Sequence, residues 1–231
     1  MGKVTILPET TKRPITLIGQ RAGVCWDADT NDAEKNYRRG WDCIMSGHGR
    51  TLEFVNVEMV LDGQSAKFMR EWYTHIGCLP TRLQASTRYI DYNGFDFVTP
   101  HTVEANDRAK AIFNTCMSTI NASYGELIEL GIPAEDASYI LPFGMQSKMI
   151  DKRNLRNLID MSRNRECVRA LWEFREGFDD ICFALKQYGW DHGSHEWETV
   201  IDTQFMPKCE ALGYCPEKRG CGRYPKRGET V

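Results

Sequence analysis

Between residues 81 and 88 the chain gathers two arginines, three hydroxyls and an amide: Thr81, Arg82, Gln84, Ser86, Thr87 and Arg88. A core segment could not satisfy that many polar groups. An anionic ligand such as a phosphate could, because guanidinium forks and hydroxyls both donate to its oxygens. The residues just before them, Phe68, Met69, Trp72, Tyr73 and Ile76, follow the i, i+3, i+4 spacing of an amphipathic helix. Gly77 and Pro80 stop that helix, so the polar cluster is expected in a loop behind His75. Other chemistries are missing. No Gly-x-Ser-x-Gly, Walker loop or strand-linked Gly-x-Gly-x-x-Gly occurs, which argues against a nucleophile elbow, a P-loop and a Rossmann site.

The order Ser86-x-Arg88-Tyr89 behind His75 resembles the flavin-dependent thymidylate synthases. Their hallmark is Arg-His-Arg, two residues, then Ser-x-Asn-Glu-x-Ser-x-Arg-Tyr; here its tail stands as Thr81-Arg82-Leu83-Gln84-Ala85-Ser86-Thr87-Arg88-Tyr89. Two more blocks are collinear with the family. His48-Gly49-Arg50-Thr51-Leu52-Glu53 is similar to its His-x4-Glu segment. Downstream, Leu141-Pro142 precedes Asn154-x-Arg156-x-Leu158, then Arg165 and Ala170-Leu171-Trp172-Glu173-Phe174-Arg175, at the family's spacing without a gap.

This resemblance implies a helix-rich α+β fold with a small, mainly antiparallel sheet, and a homotetramer with active sites at subunit junctions. It implies FAD, reduced by NADPH, and one-carbon transfer from methylenetetrahydrofolate to dUMP. That chemistry needs no Pro-Cys-His nucleophile, which the unrelated class of thymidylate synthase uses and this chain lacks. On the same basis Ser86, Arg88, Gln84, Ala85, Thr87 and Glu71 bind the nucleotide. Arg165 contacts the uracil, where a cation would stabilise negative charge developing on the ring. His48 lies near the flavin ring, and Glu53, His75, Arg82, Asn154, Asp160 and Arg169 also serve the cofactor. Arg165 and His48 are the expected catalytic pair.

The head of the hallmark departs from the family. Thr74 and Ile76 flank His75 in place of two arginines, and Ser138 stands where an arginine usually reaches the nucleotide phosphate. Arg82, Arg70, Arg50 and Arg153 are the candidates to restore the lost charge, with Arg82 expected to point into the site. A related modification of another pyrimidine nucleotide stays open, as does a non-catalytic nucleotide-binding relative.

A chain of 231 residues with 42% hydrophobic content can bury one substantial core. We expect one catalytic domain over residues 1–205, with a Cys-rich tail, 206–231, packed on it. A net charge of −3 suggests neither a nucleic-acid nor a membrane surface. No apolar run is long enough to span a bilayer and no signal segment opens the chain, so a cytoplasmic protein is expected. Six of the nine cysteines are scattered. Cys209, Cys215 and Cys221 fall in the tail, and with His192 or His195 they could bind zinc. The usual CxxC pairs are missing, so free thiols without metal are the expectation.

The elements that must position these residues read as follows. Pro14 to Val24 is β-like. Asn31 to Ser46 is a helix capped by Asn31, with Tyr37, Trp41, Ile44 and Met45 as its apolar face. A strand from Leu52 to Leu61 turns at Asp62-Gly63 into the helix before His75. Asn93-Gly94 between aromatic residues signals a hairpin over residues 89–98. The longest helix runs from Thr102 to Gly131, with Ala109, Ile112, Phe113, Cys116, Ile120 and Tyr124 on one face. Two further helices cover Asn154 to Arg165 and Arg165 to Tyr188.

Overall fold

The computed structural model of the chain describes residues 2–229. It divides into two compact units, each assembled from separate stretches. Residues 2–3, 61–74 and 82–150 form the first; residues 4–60, 75–81 and 151–229, which include the described part of the tail, form the second. Strand β1 (Lys3–Ile6) precedes helices α1 (Pro14–Gly23) and α2 (Ala33–Met45), then β2 (Asn56–Ser65), α3 (Ala66–Tyr73) and β3 (Thr81–Gln84). Helices α4 (His101–Glu104), α5 (Asp107–Glu129) and α6 (Ala134–Ala137) lead to β4 (Gln146–Asn154). The chain ends in α7 (Leu155–Arg165), α8 (Trp172–Asp191), α9 (Glu196–Gln204) and α10 (Lys208–Leu212). The strands form one antiparallel sheet in the order β1-β2-β4-β3, so the expected α+β class is what is observed. Among the described residues no helix is long and apolar enough to cross a membrane.

In the second unit α1 replaces the expected β-run. Pro14 starts the helix at a position where its missing N–H costs nothing, and Ile15, Ile18 and Ala22 then recur on one buried face. The β-branched residues suggested a strand, but a close helix crossing decides the matter. A Cβ on Gly19 would stand 1.8 Å from the Asn36 carbonyl oxygen, and one on Gly40 would stand 1.9 Å from that of Ile15. Only glycine lets the two backbones approach so far. The same crossing turns Asn36, Gly40, Cys43 and Ile44 of α2 inward, while Met45 is exposed. Asp32, rather than Asn31, caps α2 by accepting from the Glu34 and Lys35 amides, both at 3.0 Å. Trp197 of α9 is fully buried and donates its indole N–H to the Thr11 carbonyl at 2.8 Å.

Strand β2 buries Val57, Met59 and Leu61 at alternate positions. It continues through Asp62-Gly63 to Ser65 without the expected turn, and residues 49–54 before it form a 3-10 helix. The change of direction falls at Ser65, whose hydroxyl accepts from the Phe68 amide at 3.0 Å and caps α3. Residues 81–84 form a strand and not a loop. The Ala85 amide prolongs the pairing to the Lys148 carbonyl at 2.8 Å. The Asn93-Gly94 turn exists, with Gly94 at φ 79°, yet its flanks make no hairpin. Helix α5 takes their hydrogen bonds, from Gly94 N to Asn121 Oδ1 at 2.7 Å and from Tyr92 N to the Tyr124 hydroxyl at 3.3 Å. Of the apolar face expected on α5, Tyr124 alone is buried.

Candidate functional site

Strand β4 turns Ser147, Met149, Asp151 and Arg153 inward at every second residue. Asp151 and Arg153 are wholly buried and bind each other through two contacts, Nε to Oδ2 at 2.5 Å and Nη2 to Oδ1 at 2.7 Å. Such a pair holds its place only when its remaining donors are met. Arg153 Nη1 finds Asn157 Oδ1 at 2.5 Å, and Asn157 Nδ2 donates to the Gly77 carbonyl at 2.6 Å. The buried pair is thereby tied to the loop that follows His75. In that loop Cys78 and Leu79 both take left-handed backbone angles, φ 57° and 51°, which side chains disfavour.

Asn154 begins α7, its Oδ1 accepting from the Asn157 amide at 3.0 Å. Arg165 ends α7 and donates Nε–H to His75 Nε2 at 2.7 Å. Its guanidinium lies 4.8 Å from the Phe174 ring centroid, and the His75 and Phe174 rings are 5.7 Å apart. In this contact His75 Nε2 is the acceptor.

His75, Arg163, Arg165 and Arg169 line a cavity of about 530 Å³, whose opposite wall is the tail from Pro207 to Cys221. Arg163 Nη1 donates to the Met206 carbonyl at 3.5 Å, and Arg169 pairs with Glu217 at 2.8 Å. Burial pushes the Glu166 carboxyl up to about 7, with Asp179 and Glu210 adding to it and Arg163 and Arg223 opposing. Burial also raises the Cys209 thiol, with smaller contributions from Cys215 and Cys167.

A second cavity in this unit, about 720 Å³, has apolar walls that include Val24, Trp26, Cys43 and Phe54. His48 and Arg50 stand at it, His48 exposed at the start of the 3-10 helix. At the end of the same helix Glu53 pairs with Arg156 of α7 at 2.6 Å. Asp160 is exposed, and its carbonyl accepts from Asn164.

The remaining expected residues lie in the first unit. Glu71 is half-buried on α3, its carbonyl accepting from Thr74. Arg82 donates to the Tyr73 carbonyl at 3.1 Å and lies 4.4 Å from that ring centroid. Gln84 Nε2 donates to Ser147 Oγ at 3.2 Å, and Ala85 pairs with β4. Ser86 Oγ accepts from the Arg88 amide at 3.1 Å, a local turn that includes the half-buried Thr87. Arg88 Nε pairs with Glu135 at 2.8 Å, and the guanidinium rests near the Tyr89 ring.

One replacement cation named from sequence must be withdrawn: Arg153 is sealed against Asp151 and reaches no ligand. Sequence reasoning also missed Arg163 and Lys208 beside Arg165, the Trp26 and Phe54 walls, and Asn157. Asn157 carried a signal, since an amide one turn into a helix on its apolar side requires buried partners. His192 and His195 are occupied away from the tail, His192 with the Tyr188 carbonyl and His195 with Glu198.

Comparison with known proteins agrees with this layout. The family model described as thymidylate synthase complementing protein matches residues 6–188. A flavin-dependent thymidylate synthase from Nitratidesulfovibrio vulgaris is 32% identical over 194 residues, covering 80% of this chain and 75% of that protein. One from Thermococcus onnurineus is 29% identical over 219 residues, covering 90% and 86%. One from Pyrococcus abyssi is 29% identical over 230 residues, covering 94% and 91%.

Proposed function

The chain belongs to the flavin-dependent thymidylate synthase family, and on that footing we propose that it reductively methylates dUMP to dTMP. Methylenetetrahydrofolate is the one-carbon donor and NADPH the reductant, acting through FAD. The observation that carries this reading is the contact of His75 with Arg165, residues 90 positions apart in sequence that meet at 2.7 Å.

His75 on one nitrogen and the Phe174 face together fix the guanidinium plane. A pyrimidine ring laid against it meets a pre-oriented cation as negative charge develops. Arg163 and Arg169 on the same cavity wall favour an anionic ligand. In the first unit, Ser86 and Arg88 supply a hydroxyl and a guanidinium for a phosphate, Arg88 exchanging Glu135 for it.

The residues around the apolar cavity fit a flavin. Trp26, Phe54 and Val24 suit a flat ring, and His48 and Arg50 suit its polar edge. The flavin, when bound, supplies the hydride for the reductive step. The chain's part is to exclude water with that wall and to hold His48 through the 3-10 helix that Glu53 and Arg156 fasten to α7. Assembly as a homotetramer belongs to the proposal. It is supported by Ile76 and Leu79, which a single chain leaves 67% and 91% exposed. Nine unpaired cysteines support a reducing, cytoplasmic setting.

The test is direct. Purified protein should show flavin absorbance and convert dUMP to dTMP with methylenetetrahydrofolate and NADPH, and Arg165→Ala should abolish turnover while the fold is kept. Colourless protein without turnover, or an unimpaired Arg165→Ala enzyme, would overturn the reading. A second reading, modification of another pyrimidine nucleotide, is favoured by Ser138, whose hydroxyl is bound to the Glu135 carbonyl where the family usually has an arginine. dCMP or UMP outcompeting dUMP would establish it.

A further inference from the structure

In the first unit one buried hydroxyl holds an exposed side chain. Ser147 lies on the inward face of β4, 5% exposed, two residues before the wholly buried Met149. Burying a hydroxyl on such a face is unfavourable unless it is hydrogen-bonded. Its partner is Gln84, the last residue of β3, whose Nε2 donates to Ser147 Oγ at 3.2 Å across 63 positions of sequence. Gln84 itself is exposed.

Tyr92 stands at the same serine. Its backbone N–H donates to the hydroxyl of the fully buried Tyr124 at 3.3 Å, which anchors it to α5. Its own hydroxyl is buried and meets no hydrogen-bond partner among the described residues. Burial and Tyr124 push that hydroxyl's pKa up, and Ser147 opposes them. Ser147 accepts from Gln84 and still has a proton to give, for which the Tyr92 oxygen is a nearby acceptor. The Gln84 amide is thereby committed through one N–H, leaving its second N–H and Oε1 for a ligand. Ser86 and Arg88 follow two and four residues later with a hydroxyl and a guanidinium. A neutral amide adds a donor beside them without the repulsion that a carboxylate would bring against a phosphate.

We propose that Ser147 is a positioning residue, a buried hydroxyl that fixes the Gln84 amide so that its second N–H joins Ser86 and Arg88 on the phosphate of the nucleotide. Without that hold an exposed glutamine samples its rotamers in water and loses the freedom again on every binding event. This role rests on the assignment of Ser86 and Arg88 to the nucleotide phosphate.

Calorimetry on the full-length protein with dUMP reads the effect. Ser147→Ala should weaken binding about fivefold, the scale of one neutral hydrogen bond. In turnover the same factor should appear in KM for dUMP, with kcat at saturation unchanged. The inhibition constant of inorganic phosphate against dUMP should rise alongside it. In a Gln84→Ala background Ser147→Ala should add nothing, because no amide is left to hold. A serine that only packs β4 would give the same change in both backgrounds and would lower Tm. If Ser147→Ala does not fold, Ser147→Cys, close in size and a weak hydrogen-bonder, takes its place with the same expectation. Unchanged dUMP affinity in the serine variant overturns the proposal, as does an equal loss in both backgrounds. Weakened dUMP with unchanged phosphate inhibition moves Gln84 to another part of the nucleotide and overturns it too. Wild-type protein that binds no dUMP is a separate outcome: it overturns the nucleotide reading itself, and the role of Ser147 falls with it.

Discussion

Replacing Asn157 with alanine tests how the site is held. The side chain is almost fully buried and bridges Arg153 Nη1, at 2.5 Å, to the Gly77 carbonyl, at 2.6 Å. Losing a hydrogen bond to a charged group costs roughly 1.5–3 kcal/mol; the low end applies because Arg153 keeps both contacts to Asp151. The bond to Gly77 lies at an exposed loop where water can replace it, so its loss costs about 0.5–1 kcal/mol. Asn157→Ala should therefore lose about 2–2.5 kcal/mol, a fall in Tm of roughly 4–10 °C for a chain of this size. Asn157→Asp separates the two halves. Its carboxylate still accepts from Arg153 but cannot donate to Gly77, so the loop loosens while the buried pair stays satisfied. That variant should melt near the wild type yet lose about tenfold in kcat/KM for dUMP, the equivalent of ~1.4 kcal/mol. Thermal denaturation and steady-state kinetics read both quantities. An Asn157→Ala protein within 0.5 kcal/mol of wild type, or an Asn157→Asp enzyme of full activity, would refute the reasoning.

Gly40→Ala should destabilise by about 3 kcal/mol or more, because its Cβ would overlap the Ile15 carbonyl; urea unfolding with an unchanged midpoint would disprove the crossing. Arg88→Ala should weaken dUMP binding by about 2 kcal/mol, the scale of a lost charge-assisted contact, and calorimetry showing unchanged affinity would remove Arg88 from the site. The Lys35 amide, with the Lys35 side chain and Glu34 amide assisting, holds the Asp32 carboxyl below its ordinary value of 3.8. Its contribution is present above pH 3.8 and is lost as pH falls through the lower folded value. Wild type should therefore shed an increment of thermal stability below that pH which Asp32→Asn does not, and parallel acid limbs would contradict it.

How far the sequence spoke depended on the kind of signal. Helix α7 was legible because a capping asparagine and its apolar positions are local facts, and the spacing from Asn154 to Arg165 followed with them. α1 was not, since its β-branched residues describe a strand until Gly19 meets Gly40, a partner 21 positions away (40 minus 19). The polar stretch at 81–84 gave no strand signal because neither of its faces is buried, so no apolar alternation marks it. Asn93-Gly94 was recognised as a turn, but α5 captured the hydrogen bonds a hairpin would have used. For the site, the family motifs named His75 and Arg165 separately and the fold joined them.

Helix α7 is also a measuring rod. Asn157 grips the carbonyl two residues after His75, and Arg165 grips the His75 ring itself. The two holds are eight residues apart on one helix, about 12 Å at 1.5 Å per residue. A loop pinned at two points of a stiff rod cannot shift along it, so its strained residues Cys78 and Leu79 are confined to one conformation. An insertion or deletion within α7 would move Arg165 about 100° around the helix axis for each residue added or lost. Length between Asn157 and Arg165 should therefore tolerate no change, even where the residues between them are free to vary.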